Sequence, residues 1–314
     1  MKFVDRYTEL RSLIYHNLTP LIGKSYYLFD CPFHSNIGDQ LIWEGELAFL
    51  NNIQSRSMGY SSRDIVHLPQ LDLNVTVLFH GGGNLGELYR EHTEFLFKVL
   101  EAYPNNRIIV FPQTIFYSDS KLLQEDVSRL KEHKDFHFCV RDKRGFKQLS
   151  SAGLRDVYLL PDMAFCIPRD RFNLTRNFDI KGSLYLKRVD GELSSSAVTV
   201  NSDFVRDWPT FDKRIFDGVF IAKVLGTLAR WRIPFFDRIW NWYADRVYRP
   251  DLINIGRDFI MSYEPITSTR LHAIILALLC GKNVTAIDNS YGKISEFIHT
   301  WLSDVDEVQL MNNL

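Results

Sequence analysis

From about Tyr26 to Asp162, short continuous apolar runs alternate with longer stretches whose apolar positions recur every three to four residues. The runs "SYYLFD" (25–30), "VTVLFH" (75–80), "RIIVFP" (107–112), "FHFCVRD" (136–142) and "DVYLLPD" (156–162) read as buried strands. Between them, "DQLIWEGELAFLNN" (39–52), "ELYREHTEFLFKVLEAY" (87–103), a polar segment near 121–134 and "KRGFKQLSSAG" (143–153) read as helices. Strands apolar throughout and spaced by helices predict a parallel sheet covered on both faces. The first eighteen residues mix Asp5, Glu9 and Arg11 with apolar positions, which predicts an amphipathic helix and excludes a signal-peptide core.

After Asp162 the pattern breaks. "RDRFNLTRNFDIKG" (169–182) is polar and irregular, as expected of a boundary. "SLYLKR" (183–188) and "SAVTVNSD" (196–203) read as strands, and the strand–helix–strand rhythm resumes through "DLINIG", "DFIMSY", "PITSTRLHAIILALLCGKN" and "VTAIDN" (251–289). The architecture expected is α/β, with two Rossmann-like domains (1–172 and 173–314) facing across a cleft. The second carries a helical insertion at about 212–250. That insertion holds eight Lys/Arg against four Asp, together with Trp231, Trp240 and Trp242. It reads either as a helical pair packed on the second domain or as a basic, aromatic surface for an anionic membrane or lipid-linked substrate.

The 314 residues carry 37 Lys/Arg and 38 Asp/Glu, so overall charge offers no support for a nucleic-acid partner. Cys31, Cys139, Cys166 and Cys280 lie far apart, without the spacing of a zinc site or a disulfide frame. The longest apolar run, Ala273 to Cys280, is far too short to span a bilayer. A reduced, cytoplasmic setting is expected, with peripheral membrane contact through 212–250 left open.

The candidate chemistry collects at strand carboxyl ends, where open α/β sheets place ligands. In "ITSTRLHAIILALLCGKN" (266–283), Thr267, Ser268 and Thr269 are candidate N-caps and Gly281 a C-terminal stop. Arg270 and His272 then fall in the first turn, where the helix dipole disfavours cations unless an anion is bound. "FHGGGNLGELY" (79–89) offers Gly82, Gly83 and Asn84 after a buried strand; it is neither a dinucleotide fingerprint nor a Walker loop. His80 there is either a hydrogen-bonding group or a core residue. "DCPFHSNIGDQLIWEG" (30–45) contributes Asn36 and Asp39, Asp39 being either a helix N-cap or a group facing the cleft. Arg141, Arg188 with Asp190 and Glu192, and Ser290 with Lys293 occupy the same expected rim.

Taken together and in this order, "NIGDQLIWEG", "FHGGGNLGELY", "IIVFPQTI", "CVRDKRGF", "LLPDMAF", "RVDGE" and "TSTRLHAIILALLCGKNVTAIDNSYGKI" resemble the polysaccharide pyruvyl transferase family from about Tyr26 to Trp301. The resemblance implies a GT-B-like fold. It also implies transfer of pyruvate from phosphoenolpyruvate to a pair of sugar hydroxyls, giving a cyclic ketal and phosphate. In that framework His272 is the general acid and Asp39 the base. Arg270 and Arg188 bind the donor, with Arg141, Lys293 and Ser290 as further contacts. Asn36, Gly82, Gly83 and Asn84 hold the acceptor. Neither a metal nor a cofactor is expected; phosphoenolpyruvate is a co-substrate. An acceptor carried on a polyprenyl diphosphate, as in bacterial capsule or exopolysaccharide assembly, would account for the basic aromatic segment. The rival readings are a GT-B glycosyltransferase using a nucleotide sugar and a non-catalytic glycan or lipid-carrier binding protein.

Overall fold

The computed structural model describes residues 1–63, 68–172, 177–188, 200–209, 213–231, 233, 235–288 and 292–311. The first half runs α1 (Phe3–Leu18), β1 (Ser25–Phe29), α2 (Ile37–Asn52), β2 (Arg56–Tyr60), β3 (Val75–Phe79), β4 (Gly82–Gly86), α3 (Arg90–Ala102), β5 (Ile108–Phe116), α4 (Ser120–Lys131), β6 (Phe136–Val140), α5 (Lys143–Ser151) and β7 (Val157–Leu159). The second runs β8 (Leu184–Leu186), β9 (Phe204–Arg206), α6 (Lys213–Arg230), α7 (Phe236–Tyr243), α8 (Arg249–Met261), β10 (Ile266–Ser268), α9 (Leu271–Leu279), β11 (Val284–Ile287), α10 (Lys293–Trp301) and β12 (Val308–Met311).

Each half builds one parallel sheet. The first has the order β2-β1-β3-β5-β6-β7 with β4 paired to β5, and the second the order β12-β11-β10-β8-β9. The apolar runs explain the first sheet: β3 and β6 are buried along their whole length. One face of that sheet packs Phe95, Leu96, Val127 and Leu149 from α3, α4 and α5; the other packs α1 and α2. α1 is the amphipathic helix its spacing predicts, burying Phe3, Tyr7, Leu10, Ile14 and Leu18.

Strand order reverses between β1 and β3 in the first sheet, and between β8 and β10 in the second. At such switch points the loops leaving adjacent strands diverge and open a crevice. The loops after β1, β3, β8 and β10 are those singled out above for their chemistry.

The halves also share part of one core. α2 lies against α8 so closely that a Cβ on Gly256 would stand 2.7 Å from Ile37 Cγ2. Ile37, Leu41 and Phe165 of the first half and Ile253, Ile274 and Leu278 of the second belong to the same buried cluster. α9 is enclosed from Ala273 to Leu279, as its apolar sequence requires, and ends at Cys280 before Gly281 at φ 73°. Truncating one of its buried leucines would cost about 2–5 kcal/mol, which makes the helix a rigid platform for its first turn.

Several elements differ from the sequence expectation. "DLINIG" and the first four residues of "DFIMSY" lie in α8, because their apolar positions also suit a helix buried on one side. The glycine run is not a bare loop: Gly82–Gly86 pairs with the long β5, and α3 starts only at Arg90. Of the expected strand at 196–203, residues 196–199 lie outside the described residues and 200–203 are not strand; β9 begins at Phe204.

Candidate active site

The loop after β1 is fixed by a residue the sequence reading passed over. Gln40 Nε2, in the first turns of α2, donates to the carbonyls of Pro32 (2.5 Å) and His34 (2.9 Å) and folds residues 31–36 over the helix start. The N-cap is Asn36 rather than Asp39: Asn36 Oδ1 accepts from Gly38 N at 3.0 Å. Asp39 sits one turn in, accepts from Asn36 Nδ2 at 2.8 Å and has His34 Nε2 3.6 Å away.

The glycine segment is held from below. Glu46 of α2, fully buried, accepts from Gly81 N (2.8 Å) and pairs with His80 Nδ1 (2.8 Å). His80 is thus a core latch. Burial alone would lower its pKa, but the Glu46 carboxylate raises it above the ordinary value. Gln113 completes the support, donating to His80 O (2.7 Å) and accepting from Asn84 N (3.3 Å). A Cβ on Gly81 would stand 2.9 Å from Pro112 O, so this position needs glycine.

From the second half, β10 ends at Ser268, whose Oγ accepts from Arg270 N at 3.0 Å. Arg270 itself is the N-cap position of α9 and makes no side-chain cap bond, so Thr267, Ser268 and Thr269 do not cap the helix directly. The Thr269 hydroxyl accepts from Arg188 N at 2.9 Å, tying the loop after β8 to the loop after β10 across that switch point.

These loops enclose one pocket of about 130 Å³, lined by Asn36, Asp39, Gly83, Asn84, Arg141, Arg188, Arg270, His272 and Lys293 among others. Both halves contribute. Of the residues singled out in sequence, Gly82 stands behind the lining at φ 130°, and Ser290 lies outside the described residues, as do Asp190 and Glu192. Gly38, Tyr89, Trp208, Leu271 and Ile294 also line it.

Behind the pocket lies a cluster that the sequence reading did not assemble, although its key member, Asp162, falls in the "LLPDMAF" run quoted above. Asp162, fully buried just past β7, pairs with Arg141 Nη1 and accepts from His272 Nε2 at 3.2 Å. Burial alone would push the Asp162 carboxyl up, but His272, Arg141 and the Ala164 N–H hold it well below the usual carboxylate range. Arg141 Nη1 lies 3.4 Å from His272 Nε2, and its Nε donates to Thr114 Oγ1 at 2.9 Å. Its Nη2 is buried and has no hydrogen-bond partner among the described residues. That orphan donor stands 3.3 Å from where a Cβ of Gly83 would sit, with Lys293 Nζ at 2.6 Å from the same point. The backbone of Gly83 thus passes directly beside two cations.

Arg270 is engaged differently from the expectation of a cation awaiting an anion. It forms a two-pronged pair with Asp207, with Nη2 donating to Oδ2 at 2.6 Å. The planar fork is thereby oriented along the pocket wall. Trp301 Nε1 of α10 donates to Arg141 O at 2.8 Å, a further link between the halves beside the site.

Four cationic side chains, one imidazole and one carboxylate therefore line a small, polar cavity, with a second carboxylate behind it. Such a lining is suited to a compact ligand with more than one negative charge and to proton transfer beside it.

Known proteins resemble this chain over most of its length. "Putative pyruvyl transferase EpsO" of Bacillus subtilis (strain 168) is 28% identical over 294 residues, covering 90% of this chain and 87% of that protein. "Pyruvyl transferase 1" of Schizosaccharomyces pombe is 27% identical over 292 residues, covering 88% of this chain and 69% of its own length. Among solved structures, the crystal structure of Klebsiella pneumoniae KP1_0663 superposes with a TM-score of 0.63 at 20% identity. It covers 97% of this chain and 98% of that one, a likeness of fold. The sequence profile described as polysaccharide pyruvyl transferase matches residues 36–291, a span that holds most of the pocket lining, and the chain belongs to that family.

Proposed function

We propose that the chain transfers pyruvate from phosphoenolpyruvate to two hydroxyls of one sugar, closing a cyclic ketal and releasing phosphate. The observation that carries this reading is the convergence of Arg141, Arg188, Arg270 and Lys293 around His272 in one pocket. Phosphoenolpyruvate carries a carboxylate and a phosphate, and this lining offers cations to both. The pocket's size argues the same way. At about 130 Å³ it is well below the ~300 Å³ at which pockets for drug-sized ligands begin. A nucleotide-sugar donor fits it poorly.

In the proposed reaction His272 donates a proton to the methylene carbon, which becomes the methyl group of the ketal. The adjacent carbon gains oxocarbenium character and is attacked by the first hydroxyl, whose proton passes to Asp39. The second hydroxyl then displaces phosphate, its proton passing to the now neutral His272 as the C–O bond to phosphate breaks and the ring closes. With Nε2 donating to Asp162, the proton delivered to the donor rides on Nδ1, the nitrogen beside Gly38. Asp162 is a positioning residue in this scheme: it fixes the imidazole and stays ionised. A positioned acid of this kind contributes about 10²–10⁴-fold. Asn36, Gly83 and Asn84, on the first-half wall, hold the sugar. The acceptor is a polysaccharide repeat unit carried on a polyprenyl diphosphate, met by the chain at the cytoplasmic face of a membrane.

The test is acceptor-dependent release of inorganic phosphate from phosphoenolpyruvate, with product analysis by mass and NMR over galactose- and mannose-ended acceptors. A product heavier by one pyruvate ketal supports the reading. Nucleotide release from a sugar donor, with no phosphate from phosphoenolpyruvate, overturns it.

A further inference from the structure

The helical insertion is built with two unlike faces. On its inner side Ala222, Trp240 and Tyr248 pack against Leu252 and Ile255 of α8 in a small core of their own. On its outer side large apolar groups stand in water. Phe220 is 64% exposed, Trp231 71%, Phe235 68% and Trp242 61%. They are not scattered. Phe220, Val224 and Trp231 fall at i, i+4 and i+11 along and just past α6, and Phe235, Ile239 and Trp242 at i, i+4 and i+7 along α7. Each set therefore shares one helix face.

Surface apolar residues in ordered stripes mark an interaction site, and the charges around these choose the partner. Lys223, Arg230 and Arg238 lie on the hairpin and Arg246 just past it, and of the eight Lys/Arg against four Asp in 212–250 only Arg249 is buried among those whose side chains are described. A second copy would present the same net positive charge and be repelled. An anionic lipid surface complements it, because cations reach phosphates while Trp and Phe settle at the headgroup level. No described helix is long and apolar enough to cross a membrane, so the hairpin would lie in the interface plane.

The hairpin is also tied to the pocket. Trp240 meets Phe33 edge-on at 4.6 Å between ring centroids, and Phe33 lies three residues before Asn36 in the loop that walls the site. We propose that the α6–α7 hairpin seats the chain on an anionic bilayer, with Trp231, Phe235 and Trp242 in the headgroup layer and Arg230, Arg238 and Arg246 on lipid phosphates. Its consequence, that a lipid-linked acceptor is presented to the pocket from this side, rests on the transfer reading above; the lipid contact does not.

Flotation of the full chain with phosphatidylcholine vesicles, with and without about one-third phosphatidylglycerol, tests this in the absence of any substrate. The chain is expected to float with the anionic vesicles, and its tryptophan emission to be quenched by brominated lipid. A W231S/F235S/W242S variant should float on the order of tenfold less. R230Q/R238Q/R246Q, which leaves the aromatics in place, should lose the preference for anionic lipid. Both should keep the wild-type melting temperature and phosphate release with a water-soluble acceptor. Wild-type protein that stays unbound, or both variants floating like wild type, overturns the proposal. So does a dimer in sedimentation that the aromatic variant dissociates, which would assign the face to a second copy. Flotation without acceptor-dependent phosphate release would instead count against the transfer reading and leave the lipid surface standing.

Discussion

Gly38 and His272 touch across the junction of the two halves: a Cβ on Gly38 would stand 2.7 Å from His272 Nδ1 and 3.0 Å from its Cβ. The imidazole has no room to retreat, because its root is fixed on the buried helix α9 and Nε2 is held by Asp162. Gly38→Ala should therefore displace the ring rather than be absorbed. Misplacement of a catalytic group by about 1 Å costs on the order of 10²-fold in turnover. The expected outcome is a fall in kcat of that size with phosphoenolpyruvate affinity nearly unchanged, read from phosphate release and calorimetric titration. Gly83→Ala provides the contrast. Its nearest neighbour is Lys293 Nζ, the far end of a long side chain rather than a fixed ring. A smaller loss is expected there, falling on donor affinity.

His272→Ala and Arg270→Ala should separate chemistry from binding. Removing the imidazole should lower kcat by about 10²–10⁴-fold while titration still shows the donor bound. Removing Arg270 deletes a pocket cation and the two-pronged contact with Asp207 beside it, so donor affinity should fall most. Arg270→Lys should not restore it, because an ammonium cannot reproduce the two-pronged contact. Wild-type kinetics in both variants would remove α9 from the mechanism.

The sequence carried the strands of the first sheet because each is a closed apolar run bounded by polar or turn residues. It carried the rim residues because strand carboxyl ends can be read from those runs. What it did not carry was pairing across the fold. Asp162 looked like the polar end of "YLLPD", and only folding brings it to Arg141 and His272, 21 and 110 residues away in the chain. Asp207, the partner of Arg270, sits just past a three-residue strand with no periodicity to announce it. Glu46 was hidden for another reason: a carboxylate on the buried side of α2 reads as a break in amphipathicity until His80 and Gly81 are seen against it. The α8 segments misled because a short apolar run suits a strand and a buried helix equally.

Asp162 also sets a pH signature. Its carboxyl titrates lower in the folded chain than in the unfolded one, where an ordinary value near 3.9 applies. The unfolded state therefore binds the proton first as pH falls, and the stability this group contributes is fully present above about pH 5 and lost progressively below about pH 4. Asp162→Asn leaves Arg141 and His272 without their buried counter-charge, a loss of about 3–5 kcal/mol at neutral pH. Denaturant melts of both proteins from pH 7 downward should show the gap between them narrowing only in the acid range. A gap independent of pH down to full protonation would mean the carboxylate charge is not what the cluster uses.

The orphan donor on Arg141 predicts how ligands alter stability. A buried guanidinium nitrogen without a partner costs free energy that a bound oxyanion recovers. Any ligand that binds only the folded chain stabilises it by about 2.7 kcal/mol at a hundred times its Kd. Phosphoenolpyruvate should therefore raise the melting temperature by several degrees. Inorganic phosphate, which lacks the carboxylate, should raise it less at equal concentration. Lys293→Ala, in the lining of the same pocket, should shrink the shift with phosphoenolpyruvate. A nucleotide sugar that stabilises the chain where phosphoenolpyruvate does not would place a different donor on these cations.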